Sequence, residues 1–341
     1  MTFEIYQREF RRKAFKTGFS DEEIQKCLDY AQPIIDKGFP VIYNTSNLAA
    51  LVGYRKSYLK RAVFFTTYFY RTFLIKKANG KLRTIKEPLP SLKEIQIWIL
   101  NNILYSLQPS RYAKAYIPKR NILENVRYHR NKGIVLTLDI QNFFPSIKRS
   151  DIENIFLRIG YSSNVSNLLS KLCCCDNVLP QGAHTSPYLS NIYLNSFDDV
   201  VAKYCKSFNI RFTRYADDMI FSGNFEVEML IDFVRLELKN IGLILNEEKI
   251  KIMHPNNRQI VTGIVVNKVI QIPKQQRLAI KQEIFFIKKY GVSDHLVHTH
   301  NNKANYLRHL LGKINYAIAI NPSDEKMKAY KQYLKQLLSS E

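Results

Sequence analysis

The stretch IRFTRYADDMIFSG, residues 210–223, constrains the fold more than any other part of the chain. β-favouring residues (Ile210, Phe212, Thr213, Tyr215 on one side; Met219, Ile220, Phe221 on the other) flank two adjacent aspartates, Asp217 and Asp218. Such a pattern predicts a β-hairpin with the acidic pair at its tip. Hairpin turns usually use Asn-Gly or Asp-Gly, and neighbouring carboxylates repel, so the pair demands another purpose. Successive residues of a strand point to opposite faces, so carboxylates that converge must come from separate strands. GIVLTLDI (133–140) reads as a buried strand ending on Asp139. Asp139 and the Asp217–Asp218 pair could then meet at one edge of an antiparallel sheet. Converging oxygens suit a hard divalent cation, and two such cations about 3.5–4 Å apart serve phosphoryl transfer.

Around this centre the pattern is mixed. Residues 1–60 read as helices, with Ser20 before DEEI as an N-cap. Residues 62–75 and 81–86 read as strands joined at Asn79-Gly80, a hairpin signal. SLKEIQIWILNNILYSL (91–107) and EVEMLIDFVRLELKNIG (226–242) carry apolar residues at helical spacing. Residues 150–175 read as helical, and 179–195 as a turn entering a helix. LILNEEKIKIM (243–253) and QIVTGIVVNKVIQI (259–272) read as strands, and everything from 274 onward as helix.

Of 341 residues, 51 are Lys or Arg and 29 Asp or Glu, a formal charge of +22, which points to a polyanionic partner, nucleic acid before membrane. No apolar run is long enough to span a bilayer, and the charged first twenty residues do not resemble a secretory leader, so the expected compartment is the cytoplasm. Cys173, Cys174 and Cys175 are consecutive and read as buried apolar side chains rather than disulfide partners or metal ligands. His295, His298 and His300 are too loosely spaced for zinc and read as part of a loop connecting helices.

Three motifs in fixed order, DIQNFF (139–144), LPQGAHTSP (179–187) and YADD (215–218), resemble the palm motifs of reverse transcriptases. The resemblance covers roughly residues 60–320. It implies an α+β right-hand polymerase: an N-terminal helical segment (1–60), fingers (60–138), a palm with a small antiparallel sheet (139–255, with a fingers-contributing insertion after the first motif) and a basic helical thumb (256–341). It implies RNA-directed DNA synthesis with two Mg²⁺ ions, Mn²⁺ serving as a substitute. Asp139, Asp217 and Asp218 match the catalytic carboxylates, with the Ile140 carbonyl assisting at the metals. Phe144 matches the steric gate beneath the sugar 2′ position. Gln181 and Gly182 match the loop that packs on the incoming dNTP, Lys249 a cation near the leaving pyrophosphate, and Lys81 and Arg83 the fingers residues that hold the triphosphate.

Val261-Thr262-Gly263 resembles the VTG hallmark of bacterial retron reverse transcriptases. Asn125 to His129 (NVRYH) resembles their NAxxH signature, with Val126 where Ala is usual. These five motif residues, Asn125, His129, Val261, Thr262 and Gly263, are expected to contact RNA. The ribonuclease H and endonuclease segments of other lineages are not expected. The retron resemblance implies a cognate structured non-coding RNA as template, priming from a guanosine 2′-OH, a branched RNA–DNA product (msDNA), and anti-phage defence with an effector protein encoded nearby. Two alternatives stay open: a template-independent polymerase of the abortive-infection type, and a non-catalytic RNA-binding scaffold.

Overall fold

The computed structural model describes residues 2–76, 80–300 and 305–339. Its strands, in chain order, are β1 (Tyr70–Lys76), β2 (Leu82–Pro88), β3 (Ile134–Asp139), β4 (Arg211–Tyr215), β5 (Asp218–Gly223), β6 (Lys251–Met253), β7 (Ile260–Val261) and β8 (Ile264–Val265). The chain divides into two interleaved units. One comprises Met1–Pro118, Ile140–Lys203 and Met229–Asn246; the other Lys119–Asp139, Tyr204–Glu228 and Glu247–Glu341.

The first unit is helical apart from the antiparallel hairpin β1–β2, whose register runs from Tyr70↔Pro88 to Lys76↔Leu82. Asn79 lies outside the described residues. The helix Asp21–Asp36 begins with the expected cap: the Glu23 N–H donates to Ser20 Oγ and the Ser20 N–H to Glu23 Oε2, satisfying two otherwise orphaned donors. Residues 62–75 are not one strand. A helix covers Lys56–Phe64, a 3-10 turn follows at Thr66–Phe69, and β structure starts only at Tyr70. Leu59 and Ala62, three apart, are buried together, so helical packing overrides the β-favouring composition. The segment 150–175 splits into the helices Arg149–Ile159 and Ser163–Cys173 at Gly160, which has φ +118°. Cys173, Cys174 and Cys175 are buried free thiols, as their small apolar character suggests; burial pushes the Cys173 thiol up to about 12.

The second unit is built on the four-stranded antiparallel sheet β4-β5-β3-β6. Strands β4 and β5 form the expected hairpin and are buried on both faces. Their polar members Thr213, Arg214 and Ser222 lie at 0–1% exposure. The segment 243–253 contributes only the three residues of β6, because Glu247–Lys249 form a 3-10 turn. One apolar cluster runs from Val135 and Ile220 in the sheet through Val261 and Ile264 to Ile280, Leu310 and Leu334 of the C-terminal helices. Those helices are Lys274–His298, broken at Gly291 (φ +80°, ψ 171°), Tyr306–Ile320 and Glu325–Ser339. His295 belongs to the first of them rather than to a loop, and is 5% exposed. Its Nε2 pairs with the Tyr306 hydroxyl at 2.9 Å, and that hydroxyl donates to Glu283 at 2.7 Å; the histidine is an internal strut.

Candidate active site

Strand β5 pairs with β4 through Tyr215↔Asp218 and with β3 through Asp139↔Asp218. Directly opposed residues of an antiparallel pair share a face with Cα atoms about 4.5–5.5 Å apart. Asp139 and Asp218 therefore stand side by side at one sheet end, and Asp217 precedes Asp218 in the connecting turn. That turn consists of Ala216 and Asp217, with Ala216 at φ +60°, the sign that a first central residue takes in the primed turns suited to tight hairpins. A side chain there is strained. Arg214, buried at 0% exposure, donates Nη1–H to the Ala216 carbonyl at 3.0 Å and so braces the turn.

The electrostatics fit a cation site. Burial first, then the charges of Asp217 and Asp139, push the Asp218 carboxyl up to about 6. Lys249 Nζ donates to both carboxylate oxygens of Asp139 at 2.8 Å. The unexpected 3-10 turn Glu247–Lys249 is what brings that ammonium to the sheet end. With Asp139 engaged by Lys249, no group of three or more His, Cys, Asp or Glu side chains among the described residues stands as a ready-made set of metal ligands. The charges of Asp217 and Asp139 nonetheless raise the proton affinity of Asp218, as negative charge gathered where positive charge is needed would do.

Other expected site residues lie in the first unit. Ile140, next after Asp139, is buried and bridges to Leu245. Phe144 is half-buried in a short helix (Phe143–Ser146), its ring 5.2 Å from that of Phe143 and 6.4 Å from that of Tyr116. Gln181 accepts the Lys86 backbone N–H at 2.8 Å, which docks its loop on β2. Gly182, at φ +129°, approaches so closely that a Cβ would lie 2.7 Å from the Lys86 carbonyl oxygen. Lys81 and Arg83 are exposed at the start of that hairpin arm.

Asn125 and His129 present no surface: both are at 0% exposure. They sit four apart, on the helix Ile122–Tyr128 and its C-cap, and face the strands carrying the aspartates. Thr213 Oγ1 donates to Asn125 Oδ1. Its single proton is then spent, so it accepts from His129 Nε2–H at 2.7 Å, and the unprotonated ring nitrogen Nδ1 accepts the Ser222 hydroxyl proton at 2.7 Å. The expected RNA contact at Asn125 and His129 is corrected by this burial. Thr213, Ser222 and Arg214 escaped the sequence reading; polar residues inside an otherwise apolar hairpin were the available signal. Val261 is likewise a core residue. Thr262 (φ +46°) and Gly263 (φ +82°) form the tip of the β7–β8 hairpin, and the buried Thr262 Oγ1 has no partner.

This carboxylate-edged palm sheet defines a polymerase, and residues 75–307 match the model of the family "Reverse transcriptase (RNA-dependent DNA polymerase)", to which the chain belongs. Its relatives narrow the class to bacterial retron reverse transcriptases. The chain is 28% identical over 293 residues to the Retron Ec86 reverse transcriptase of Escherichia coli, covering 85% of this chain and 88% of that protein. It is 29% identical to the Retron Ec83 enzyme of E. coli (74% and 84% covered) and 32% to the Retron Ec73 enzyme (56% and 67% covered). Among solved structures it is similar to Candida albicans telomerase with a TM-score of 0.46 and 11% identity, over 80% of this chain and 61% of that one. No helix among the described residues is long and apolar enough to cross a membrane.

Proposed function

We propose that the chain copies part of a cognate structured RNA into DNA, starting from a guanosine 2′-OH and leaving a branched RNA–DNA product, in the cytoplasm and in the service of anti-phage defence with an effector protein. The observation that carries the catalytic half is the sheet end where Asp139 and Asp218 are opposed, Asp217 tops the turn and Lys249 supplies a cation.

Reverse transcriptases as a class use divalent metal ions. Asp139, Asp217 and the Ile140 carbonyl would hold two Mg²⁺ ions here, or Mn²⁺ in their place, with Asp218 as the companion carboxylate. Bound ions would activate the attacking hydroxyl and stabilise the leaving pyrophosphate. Lys249 keeps 55% of its side chain exposed while Asp139 keeps 7%, so the lysine has room to turn towards the dNTP phosphates. Arg83 and Lys81 would grip the triphosphate, Gln181 and Gly182 would pack on the nucleotide, and the Phe144 ring would exclude a ribose 2′-OH. Asn125 and His129 act as a brace that holds β4 and β5, and with them the Asp217–Asp218 turn, rather than as RNA ligands. Gly263, exposed at the hairpin tip, would offer RNA a close backbone approach, whereas the Thr262 hydroxyl beside it is buried.

The test is the nucleic acid that co-purifies with the protein. Ribonuclease treatment should leave a DNA strand attached to one guanosine through its 2′ oxygen. A product joined 3′–5′ throughout contradicts the priming reading. A protein that extends a supplied primer yet carries no RNA-linked DNA contradicts the cognate-RNA reading.

A further inference from the structure

Behind the palm sheet, at the end away from the aspartates, lies a polar cleft of about 490 Å³ lined by Lys132, Arg211, Asn131, Asn209, Gly223 and Asn224 among others. Strand β3 runs from Ile134 beside it to Asp139, so roughly 17 Å separates cleft and carboxylates at about 3.4 Å per residue. No Asp or Glu lines it. Neither Lys132 nor Arg211 has a carboxylate partner among the described residues.

The cleft is held by specific contacts. Arg211 donates Nη1–H to the Tyr128 carbonyl at 2.6 Å and lies 5.1 Å from the centre of the half-exposed Tyr128 ring. The Asn131 N–H donates to the Val266 carbonyl at 2.9 Å, and Arg130 Nε–H to the Lys268 carbonyl at 2.9 Å. Asn224 Oδ1 occupies the place where a Gly133 Cβ would stand, 1.9 Å from that position, so only glycine at 133 lets this amide lie flat on the strand. Ser222, also in the lining, is fixed from below by His129.

We propose that this cleft is a second nucleic-acid site, separate from the catalytic one, that takes the sugar–phosphate backbone of folded RNA. Two cations without carboxylate partners suit phosphates. Three asparagine amides, each able both to donate and to accept, suit ribose 2′-hydroxyls, which do the same. DNA offers the phosphates and lacks the hydroxyls. The site rests on the proposed function only in that its polyanion is RNA; docking at the cleft requires no chemistry at the aspartates.

The experiment measures binding of a short RNA hairpin, and of the DNA hairpin of the same sequence, across a salt series for wild type, Lys132→Glu and Lys26→Glu. Lys26, exposed and paired with Glu22 on an N-terminal helix, controls for the change in net charge. Lys132→Glu should weaken the RNA complex by about tenfold and lower the salt slope by about one, with a smaller loss on the DNA hairpin. Lys132→Met should fall between it and wild type. Extension of a pre-annealed primer should keep its wild-type rate in both variants, so loss of docking is distinguishable from failure of the polymerase reading. A loss no larger than that of Lys26→Glu, or an equal loss on RNA and DNA hairpins, overturns the proposal.

Discussion

At Gly182 the backbone passes within contact distance of β2, with room for a hydrogen and none for a methyl group. Gly182→Ala adds an atom that meets the Lys86 carbonyl, at a positive φ already unfavourable to a side chain. The expected cost is about 1–3 kcal/mol, read as a lower Tm, with a KM for dNTP that rises more than kcat falls; an unchanged KM would separate this loop from the nucleotide. The role proposed for Phe144 is steric exclusion of a ribose 2′-OH. Phe144→Ala should raise incorporation of ribonucleotides relative to deoxyribonucleotides, and unchanged selectivity would make Phe144 an ordinary partner of Tyr116 and Phe143. At this scale the sequence was informative where chemistry dictates the residue type. Asp139, Asp217, Asp218 and the glycine of the PQG motif stand out in the bare chain. The reason for the glycine does not, since it depends on a strand about a hundred positions earlier.

Among the elements, the palm hairpin was legible because apolar runs on both sides of a two-residue turn admit little else. The brace behind it was not. Asn125 and His129 look like surface readers of RNA when only their spacing is known, and their burial depends on Thr213 and Ser222 arriving from distant strands. His129→Ala would leave two buried hydroxyls without their imidazole partner, each worth about 1–3 kcal/mol. Denaturant unfolding should show a loss of about 2–6 kcal/mol and dNTP incorporation should fall, while the salt dependence of RNA binding stays at its wild-type slope. A reduced slope with unchanged stability would return His129 to the RNA surface. The two misread stretches share one physical cause: aromatic and β-branched residues at 62–69 and apolar alternation at 243–250 favour strands locally, whereas packing makes the first helical and the second a 3-10 turn that delivers Lys249 to Asp139.

Across the whole molecule, charge and motif order foretold a polymerase of nucleic acid, whereas the interleaving of its units could not be read from composition. The chain passes from one unit to the other directly after Asp139, so Asp139 and Phe144, five positions on, belong to different units. The metal-binding role proposed for the aspartates is the central claim for the site. It is tested most directly by dNTP incorporation on an RNA template with an annealed DNA primer and Mg²⁺, comparing wild type with Asp217→Asn. Asparagine keeps the shape of the turn and removes the charge a hard cation requires, while RNA affinity rests on the basic surface. The account predicts synthesis by wild type, background incorporation by the variant, and RNA binding by the two proteins within about twofold, as expected when no phosphate contact is lost. Wild-type incorporation by Asp217→Asn would contradict it.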